Sequence, residues 1–568
     1  MYIRIKTSPN SPKKAVQIVQ SVRTGKKVSQ RIVRHVGSAL NEIEIIKLKE
    51  VAEYILATLQ TETQPSFFPS EELAEMAIVS RRKQREEAKK EEEKKEEEEK
   101  IPLKNIREEQ RLILGIHEIC GDIYNEIGFD SVLGNPRRKV TDSKVLKNLV
   151  MARIANPSSK RESVRVLEEN FGVNIDLSRV YRVMDKIGDS EIEKIQKISY
   201  QFANTLYPGK VNILFYDCTT LYFESFEDYD ENEVLQKGYS KDGKFNQNQV
   251  ILALLVTEGG IPIGYDVYPG DLFEGNTLPN VITKIRETYQ LDKVIFVADA
   301  AMISNDHIKL LQKMNQPYII AARLKNLTDA MQNQVLQKSN YKNIKENIES
   351  EKIAEFQYKT EEKIRLIVTY SSKRAVKDKY DRDKAIKQII KRLEKGKQVK
   401  DFLNNYGYKR YLKLEGESKV AIDEKKLEQA SQWDGLHGII TNIEEMKAVD
   451  AVAHYHDLWQ IEETFRITKH DLSIRPIYHW TSKRIRAHIA MCYIALVCMR
   501  ALAHRVSVQY QKISIAEIIK ILLDVQVSVI KDINTQKKYA IPSKITQEIK
   551  KIYQVMGKKI TDQPFPMR

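Results

Sequence analysis

Two apolar stretches that each end in an aspartate constrain the fold of this chain more than any other feature of its sequence. Residues 211–217 read Val-Asn-Ile-Leu-Phe-Tyr-Asp, and residues 294–299 read Val-Ile-Phe-Val-Ala-Asp. Short apolar runs of this kind are typical of strands buried inside a sheet. Open α/β sheets place their sites at the carboxyl ends of such strands. Asp217 and Asp299 are therefore candidate site residues, although an aspartate at a strand end is also a common turn or cap residue.

The stretches around these two runs predict the order of the remaining elements. Gly259-Gly260 lies between two strand-like segments and is typical of a hairpin turn. With residues 323–450 left out, the order is β-β-β-α-β-α-β-α, which is that of a ribonuclease H-like fold, a mixed sheet flanked by helices. The predicted elements are strands at Val211–Asp217, Asn248–Val256 and Pro262–Tyr268, a helix at Thr277–Tyr289, a strand at Val294–Asp299, a helix at Asn305–Met314, a strand at Pro317–Ala322 and a helix at Val452–Lys469.

The last predicted helix carries a third candidate carboxylate, Glu462. At 100° per residue, four other side chains fall within about 60° of Glu462 and share its stripe. Basic residues one and two turns from a glutamate are typical of a solvated face, but a tyrosine and a tryptophan on the same stripe are harder to explain in that way. The four side chains are Tyr455, Trp459, Arg466 and Lys469.

Three carboxylates on three elements, with a basic and aromatic fringe, match the requirements of two-metal phosphoryl transfer. Hard divalent cations such as Mg²⁺ take oxygen ligands. Two ions about 3.5–4 Å apart activate the attacking oxygen and stabilise the leaving one. Basic side chains hold phosphates and aromatic rings stack on bases, so the candidate DNA-binding residues are Tyr455, Trp459, Arg466 and Lys469. The residues therefore predict metal-dependent chemistry on a nucleic acid.

The distribution of charge also favours a nucleic-acid partner. The chain of 568 residues has a net charge of +15, and the charge is concentrated at its ends. Residues 1–41 contain nine Lys or Arg and no acid, residues 475–568 contain seventeen Lys or Arg against five acids, and the middle is net acidic. Basic ends around an acidic centre suit a protein that grips phosphate at its ends and uses carboxylates between them. Ordinary lysine enrichment is the alternative explanation.

Other features argue against several classes of protein. The four cysteines form no CxxC pair, which argues against a disulfide scaffold and a structural zinc site. The longest apolar run, Ala487–Met499, is shorter than the roughly 20 residues of a membrane span. The residues after Met1 lack the apolar segment of a signal peptide. We therefore expect a cytoplasmic, nucleoid-associated protein without a membrane partner.

At these residues the sequence resembles bacterial insertion-sequence transposases of the DDE type, in the subgroup with a Tyr-x2-Arg-x3-Glu-x6-Lys signature. The signature reads here as Tyr455, Leu458, Glu462 and Lys469, with the spacing kept and Leu458 at the arginine position. The resemblance spans roughly residues 110–505. Four further segments carry it, namely Leu214–Thr219, Val297–Asp299, Gly238–Gly243 and Trp433–Asn442.

The resemblance implies a reaction and its participants. Asp217, Asp299 and Glu462 would bind two Mg²⁺ ions, for which Mn²⁺ can substitute, and the protein would cleave DNA and join the freed 3′-OH ends to target DNA. Its partner would be double-stranded DNA, both transposon ends and target, bound by a homodimer. Family members with this signature can pass through a hairpin at the transposon end. Arg466, one turn beyond Glu462, is the candidate substitute for the arginine missing at Leu458.

The resemblance, together with changes in residue pattern and charge along the chain, predicts a multidomain α/β protein. In this protein a largely β insertion interrupts the ribonuclease H-like catalytic core. Within the predicted helical segment 106–205, residues 158–182 have the spacing of a helix–turn–helix motif. An ordinary helical bundle explains this spacing equally well. The predicted segments are a small basic N-terminal β domain that binds DNA (1–60, with a helix at 43–60), a charged helical linker (61–105), a helical DNA-binding domain (106–205), the first part of the core (206–322), the insertion (323–450), the second part of the core (451–505) and a basic C-terminal region (506–568).

Two other functions remain open at this point. One is a ribonuclease H-like nuclease or junction resolvase, which would use the same metal chemistry without strand transfer. The other is a domesticated DNA-binding protein that has kept the fold without the activity. The presence of all three candidate carboxylates, Asp217, Asp299 and Glu462, favours the enzyme.

Overall fold

A computed structural model describes most of the chain and divides it into two compact units. The smaller unit comprises Met1–Arg107 with Asp532–Gln536, and the larger comprises Glu108–Lys531 with Lys537–Arg568. Two predicted features, the charged linker and the motif that begins at Gly238, lie almost entirely outside the described residues. The described residues are 1–8, 11–24, 27–39, 42–61, 79, 83, 103–134, 141–206, 212–223, 234–238, 247–289, 291, 294–300, 303–344, 350–359, 363–394, 411–415 and 419–567.

The smaller unit is built from a three-stranded antiparallel sheet and one helix. Strand β2 is central, and Thr24 of β2 pairs with Lys27 of β3 across the hairpin. Apolar side chains of β2 and of the helix form the core, because alternation along the strand brings one apolar face onto the helix. The elements are β1 (Tyr2–Ser8), β2 (Ser11–Thr24), β3 (Lys27–Ala39) and α1 (Glu42–Thr61).

A ten-stranded mixed sheet dominates the larger unit. Strand β9 runs parallel to both of its neighbours, β5 and β10, whereas β7 is antiparallel to β5 and β8. Helices α7 (Leu278–Glu287) and α8 (Asn305–Lys313) connect these strands, which confirms the predicted mixed α/β order. In spatial order the strands are β11 (Lys342–Asn343), β12 (Glu351–Lys359), β13 (Ile364–Ser371), β16 (Leu436–Thr441), β10 (Tyr318–Ala322), β9 (Ile295–Ala298), β5 (Ile213–Tyr222), β7 (Asn248–Thr257) and β6 (Gln236–Lys237), with β8 (Pro262–Pro269) also on β7.

The region 323–450 is mixed rather than largely β in its described residues, so this part of the prediction is wrong. Strands β11, β12, β13 and β16 extend the main sheet beyond β10, and β14 (Leu412–Glu415) and β15 (Lys419–Ile422) form a separate hairpin. The Lys-rich and Glu-rich stretches at 372–394 and 424–431 have high helix propensity and are helical. The helices are α9 (Asp329–Leu336), α10 (Ser372–Glu394) and α11 (Glu424–Ser431).

The segment 106–205 begins with a strand, β4 (Ile106–Ile113), where the sequence predicted helix. Strand β4 lies at the edge of a four-stranded sheet whose other strands come from the C-terminal region, so its partner is not visible in the local pattern. The rest of the segment is helical as predicted, with α2 (Gly121–Ile127), α3 (Thr141–Ala155), α4 (Lys160–Phe171), α5 (Leu177–Met184) and α6 (Asp189–Leu206). The other strands of that sheet are β17 (Gln526–Asp532), β18 (Lys538–Pro542) and β19 (Phe565–Met567).

One long helix forms the centre of the core. Among the described residues this helix, Ser482–Gln509, is long and apolar enough to cross a membrane by length and composition, but 94% of its most apolar window is buried inside the protein. It packs against α2, α3, α6 and β8, so its apolar character is that of a core helix. It is α14 in chain order, after α12 (Ala448–His456) and α13 (Trp459–Arg466), and it is followed by α15 (Ile515–Leu523) and α16 (Gln547–Val555).

A buried lysine joins the helical segment to this core. Lys160, at the start of α4, is 5% exposed, and its Nζ donates to Nδ1 of His488 over 3.2 Å. The other ring nitrogen, Nε2, donates to the carbonyl of Ile474 over 3.0 Å. Burial, and then the charge of Arg153, lower the pKa of Lys160 to about 7. The native state therefore disfavours a charge that the unfolded chain carries freely at neutral pH.

We expect Lys160→Met to raise the free energy of unfolding at pH 7, because methionine occupies similar space without a group that burial penalises. Between about pH 7 and 10.5 the unfolded chain holds the Lys160 proton and the native state does not, so the stability of the wild type rises with pH in that window. The advantage of Lys160→Met should therefore shrink as the pH rises, which denaturant unfolding at several pH values measures. Lys197→Met, at an exposed lysine of α6, is the control. If the stability gain depended on pH in the same way in both variants, the lowered pKa would not belong to Lys160.

Candidate active site

The two candidate aspartates lie side by side in the main sheet. Strands β5 and β9 are parallel, and Tyr216 pairs with Ala298, so the next residue on each strand is Asp217 or Asp299. Asp217 is half-buried and Asp299 is exposed. Strand β9 ends at Ala298, one residue short of the predicted end at Asp299. Strand β5 continues to Tyr222, so the prediction that Asp217 ends its strand is wrong. The parallel register thus brings both aspartates to the edge where β9 stops.

The backbone holds both carboxylates in the same way. The amide of Cys218 donates to Oδ1 of Asp217 over 2.8 Å, and the amide of Ala300 donates to Oδ1 of Asp299 over 2.7 Å. A side chain that accepts from the next amide has little rotational freedom. Each aspartate is therefore oriented by the backbone amide of the residue that follows it.

Tyr455 connects Asp299 with the third candidate acid. Its hydroxyl donates to Oδ1 of Asp299 over 3.4 Å, and its helix, α12, packs against β9 and β10. Burial raises the pKa of Tyr455 first, and the charges of Asp299 and then Glu462 raise it further. Tyr455 therefore lies in the negative field of both carboxylates and stays protonated at neutral pH.

Glu462 lies on the exposed side of α13, the helix that packs against β5 and β7. Ile461, Thr464 and Phe465 form the buried side of this helix. Because β5 carries Asp217, the packing of α13 brings the third carboxylate to the strand that holds the first. The structure thus places the three predicted acids on β5, at the end of β9 and on a helix that covers β5.

The predicted single helix Val452–Lys469 is interrupted, which corrects the sequence prediction. Helix α12 ends at His456, α13 begins at Trp459, and a π-helical turn follows at Ile467–Asp471. The amides of Gln460 and Ile461 bond to carbonyls three residues earlier, which tightens the chain at this point. The sequence pattern could not show the interruption between α12 and α13, because the helical period of apolar residues continues across it.

The basic and aromatic fringe is distributed around Glu462. Trp459 is 40% exposed, and Nζ of Lys512 lies 5.1 Å from the centre of its ring. The guanidinium of Arg466 lies 3.9 Å from Glu463 and 3.6 Å from Asp471, and Lys469 is half-buried in the π-helical turn. Leu458, at the position of the signature arginine, is 8% exposed and belongs to the core.

Sequence reasoning missed a buried arginine that fixes α13. Arg500 of α14 is 7% exposed, and its Nε donates to the carbonyl of Gly260 over 2.6 Å. Its Nη1 donates to Glu463 over 2.9 Å and its Nη2 to Gln460 over 3.1 Å. A side chain at Gly260 would place Cβ 1.4 Å from Nη2, and Gly260 also has φ of +74°. These four residues, the Arg500 cluster, join α13 to α14 and to the β7–β8 hairpin.

The sequence also gave little indication of His437, on β16. Its ring lies 5.0 Å from that of Tyr455, and burial, then the charges of Arg374 and His456, lower its pKa to about 4. The histidine lies within Trp433–Asn442, a segment that carries the resemblance to transposases, but nothing in that segment singles it out. A cavity of about 1040 Å³ opens beside it, lined among others by Lys373, Arg374, Lys377, Tyr370, Tyr380 and His456.

The donor set of the candidate site suits hard divalent cations. Asp217, Asp299 and Glu462 offer carboxylate oxygens, which Mg²⁺ prefers. The charges of Asp299 and Glu462 both raise the pKa of Tyr455, and the charge of Arg374 opposes them. A divalent cation would neutralise the field of these two carboxylates, so the residues present fit the metal that the sequence predicts.

We expect Arg500→Met to lower the free energy of unfolding by about 3 kcal/mol or more, because Glu463 and the Gly260 carbonyl lose a buried charged donor. Gly260→Ala should also destabilise, through the clash with Nη2 and the positive φ. Arg505→Met on the same helix is the control. Arg505 pairs with Glu126, which is half-exposed, so its loss should cost less than about 1 kcal/mol. Equal losses in denaturant unfolding for the two arginines would contradict the role given to the Arg500 cluster.

Comparison with known proteins identifies the family. A family model described as a transposase DDE domain matches residues 211–498, just over half of the chain. Similar solved structures include a piggyBac transposase synaptic complex with hairpin DNA, at 12% identity and a TM-score of 0.34 over 72% of this chain and 76% of that one. A Mos1 transposase paired-end complex with the left transposon end has 15% identity and a TM-score of 0.14 over 33% of this chain and 60% of that one.

No curated protein matched the chain. The match to the family model shows which family the chain belongs to. The match begins two residues before the strand that carries Asp217, includes Asp217, Asp299 and Glu462, and ends inside α14. The chain belongs to the family of DDE transposases.

Proposed function

We propose that this protein is an active DNA transposase that binds the ends of its insertion sequence, cleaves DNA by two-metal phosphoryl transfer and joins the 3′-OH ends to target DNA. The observation that supports this most directly is the register of β5 and β9, which makes Asp217 and Asp299 neighbours. The field of Asp299 and Glu462 at Tyr455 supports the third member of the set.

In this proposal Asp217, Asp299 and Glu462 hold two Mg²⁺ ions, for which Mn²⁺ can substitute. When bound, such ions activate the attacking oxygen and neutralise charge on the leaving oxygen. Two donors, Tyr455 Oη and the amide of Ala300, both bond to Oδ1 of Asp299. They orient the carboxylate, and Oδ2 would be its ligand atom for a metal ion. Tyr455 keeps its proton because its pKa is raised, and so it remains a donor throughout.

The side chains around the acids bind the DNA strand that is cut. Lys469 and Arg466 hold phosphates next to the scissile one, and the exposed ring of Trp459 stacks on a base. The guanidinium of Arg466 is shared with Glu463 and Asp471, so it contacts DNA by exchanging one of these partners for a phosphate. The protein acts on double-stranded DNA as a homodimer, with one active site for each transposon end.

The smaller unit contributes DNA affinity in this proposal. Arg23, Arg31 and Arg34 are exposed on β2 and β3, in a part of the chain that has no acid before Glu42. Positive charge on a sheet surface binds phosphates without reading sequence and releases counterions as it does so. The N-terminal segment would therefore anchor the transposon end while the acids act elsewhere along the duplex.

We expect Asp217→Asn, Asp299→Asn and Glu462→Gln each to abolish cleavage of a transposon-end duplex in Mg²⁺, because each removes one ligand charge with little change of shape. Binding should persist, since phosphate and base contacts are spread over several segments. Gel assays of cleavage and of binding on the same duplex separate the two effects.

Two variants serve as controls for the three acids. Asp306→Asn changes an exposed aspartate of α8 and should cut normally. Glu463→Gln weakens the Arg500 cluster and should lower stability, with cleavage retained below the melting temperature. Near-native cleavage by any of the three acid variants would remove that acid from the site. Cleavage by the wild type without any joining to target DNA would instead support a nuclease.

We expect the triple variant Arg23→Gln/Arg31→Gln/Arg34→Gln to bind a transposon-end duplex less tightly and with a shallower dependence on salt. Each phosphate contact that is lost should reduce the slope of log K against log salt by about one. The measurement is fluorescence anisotropy between low and moderate salt. An unchanged slope would show that the N-terminal sheet does not contact DNA.

A further inference from the structure

A second group of metal-binding side chains lies outside the candidate active site. The donor atoms of Glu258, His454 and Asp457 all lie within 4.8 Å of one another. His454 and Asp457 are half-buried and Glu258 is exposed. His454 is in the last turn of α12 and Asp457 caps that helix, while Glu258 is at the tip of the β7–β8 hairpin. Residues almost two hundred positions apart in the chain therefore meet at one point.

The backbone that carries these side chains is fixed on both sides. In the hairpin, the amide of Gly260 donates to the carbonyl of Thr257 over 2.8 Å, and Arg500 binds the carbonyl of Gly260. In the helix, the amide of Asp457 donates to the carbonyl of Ala453 over 3.1 Å. The two segments are held together independently by the Arg500 cluster, so the three donors do not depend on a free loop for their approach.

The electrostatics of the group favour a cation. Two carboxylates at this separation repel each other, and the carbonyls at the C-terminal end of α12 add the negative end of a helix dipole. Within the described part of the chain, the three side chains make no hydrogen bond or ion pair to a residue outside the group. A cation between them would remove the repulsion and use all three donors.

We propose that Glu258, His454 and Asp457 bind a divalent transition-metal ion, with Zn²⁺ the best match. One imidazole nitrogen and two carboxylate oxygens are a donor set that zinc accepts, with a fourth position open to water. The imidazole disfavours Mg²⁺, which takes oxygen ligands and keeps its waters. The ion would fasten the hairpin to the turn between α12 and α13, close to the start of the helix that carries Glu462.

This ion is distinct from the pair proposed for catalysis, because the two sites share no residue. Tyr455 lies between His454 and the turn and donates to Asp299, so the zinc site would support the position of Tyr455 without taking part in cleavage. The inference does not rest on the proposed function, since it follows from the donor geometry alone. A protein without transposase activity would still bind this ion.

The test is Zn²⁺ titration of the full-length protein by calorimetry, with the melting temperature measured with and without Zn²⁺. We expect His454→Ala to lose one equivalent of bound Zn²⁺ and to lose the rise in melting temperature that the ion gives by binding the native state. Asp217→Asn should keep that equivalent, which separates this site from the catalytic acids. His456→Ala, at an exposed histidine of the same helix, is the matched control and should bind as the wild type does.

A second variant and a spectroscopic signal keep the test decisive. Glu258→Gln changes an exposed hairpin residue and should fold even if His454→Ala does not, and it should lose the same equivalent. Visible absorption of the Co²⁺-loaded protein should change in His454→Ala and Glu258→Gln and stay unchanged in His456→Ala. The absence of a Zn²⁺ equivalent that depends on both Glu258 and His454 would overturn the proposal, whatever the activity of the enzyme.

Discussion

The parallel pairing of β5 with β9 is the constraint on which the rest of the site depends. Strand β5 is paired on both sides, by β7 and β9, and its first four residues are buried. A strand enclosed in this way has one register, because a slip by one residue would send every side chain to the opposite face, where the close-packed core is shaped for a different set of side chains. The register that buries Tyr216 beside Ala298 therefore also fixes Asp217 beside Asp299. The packing of the sheet interior therefore determines where the two carboxylates lie.

The third acid, Glu462, is held in place by a different interaction, the hydrogen bonds and ion pair of the buried Arg500. Helix α13 has only eight residues, too few to be stable without tertiary contacts. Its apolar side packs on β5 and β7, and the Arg500 cluster ties its polar side to α14 and to the hairpin at Gly260. A buried arginine is costly unless its donors are satisfied, and here all three bonded nitrogens have partners. The position of α13 is therefore specified by geometry as well as by apolar area.

The sequence predicts what local patterns encode and fails where distant residues decide. Apolar runs that end in acids predicted the strands of Asp217 and Asp299, since burial on both faces leaves a plain local signature. The strand at Ile106–Ile113 was missed because its partner lies near the other end of the chain. The break before Trp459 was missed because two short helices can share one apolar period. Nothing near Arg500 in the sequence indicates Gly260 or Glu463, so the Arg500 cluster is visible only in three dimensions.

The contact with Arg500 distinguishes two neighbouring glutamates, Glu462 and Glu463, that the sequence alone does not distinguish. Glu462 and Glu463 differ by about 100° around the helix, so they cannot face the same surroundings. Arg500 engages Glu463 on the side of α14, and Arg466 approaches the same carboxylate. That choice leaves Glu462 on the exposed side, where its charge reaches Tyr455 together with that of Asp299. The ion pair that stabilises α13 thus selects which of the two acids is presented to the candidate metal site.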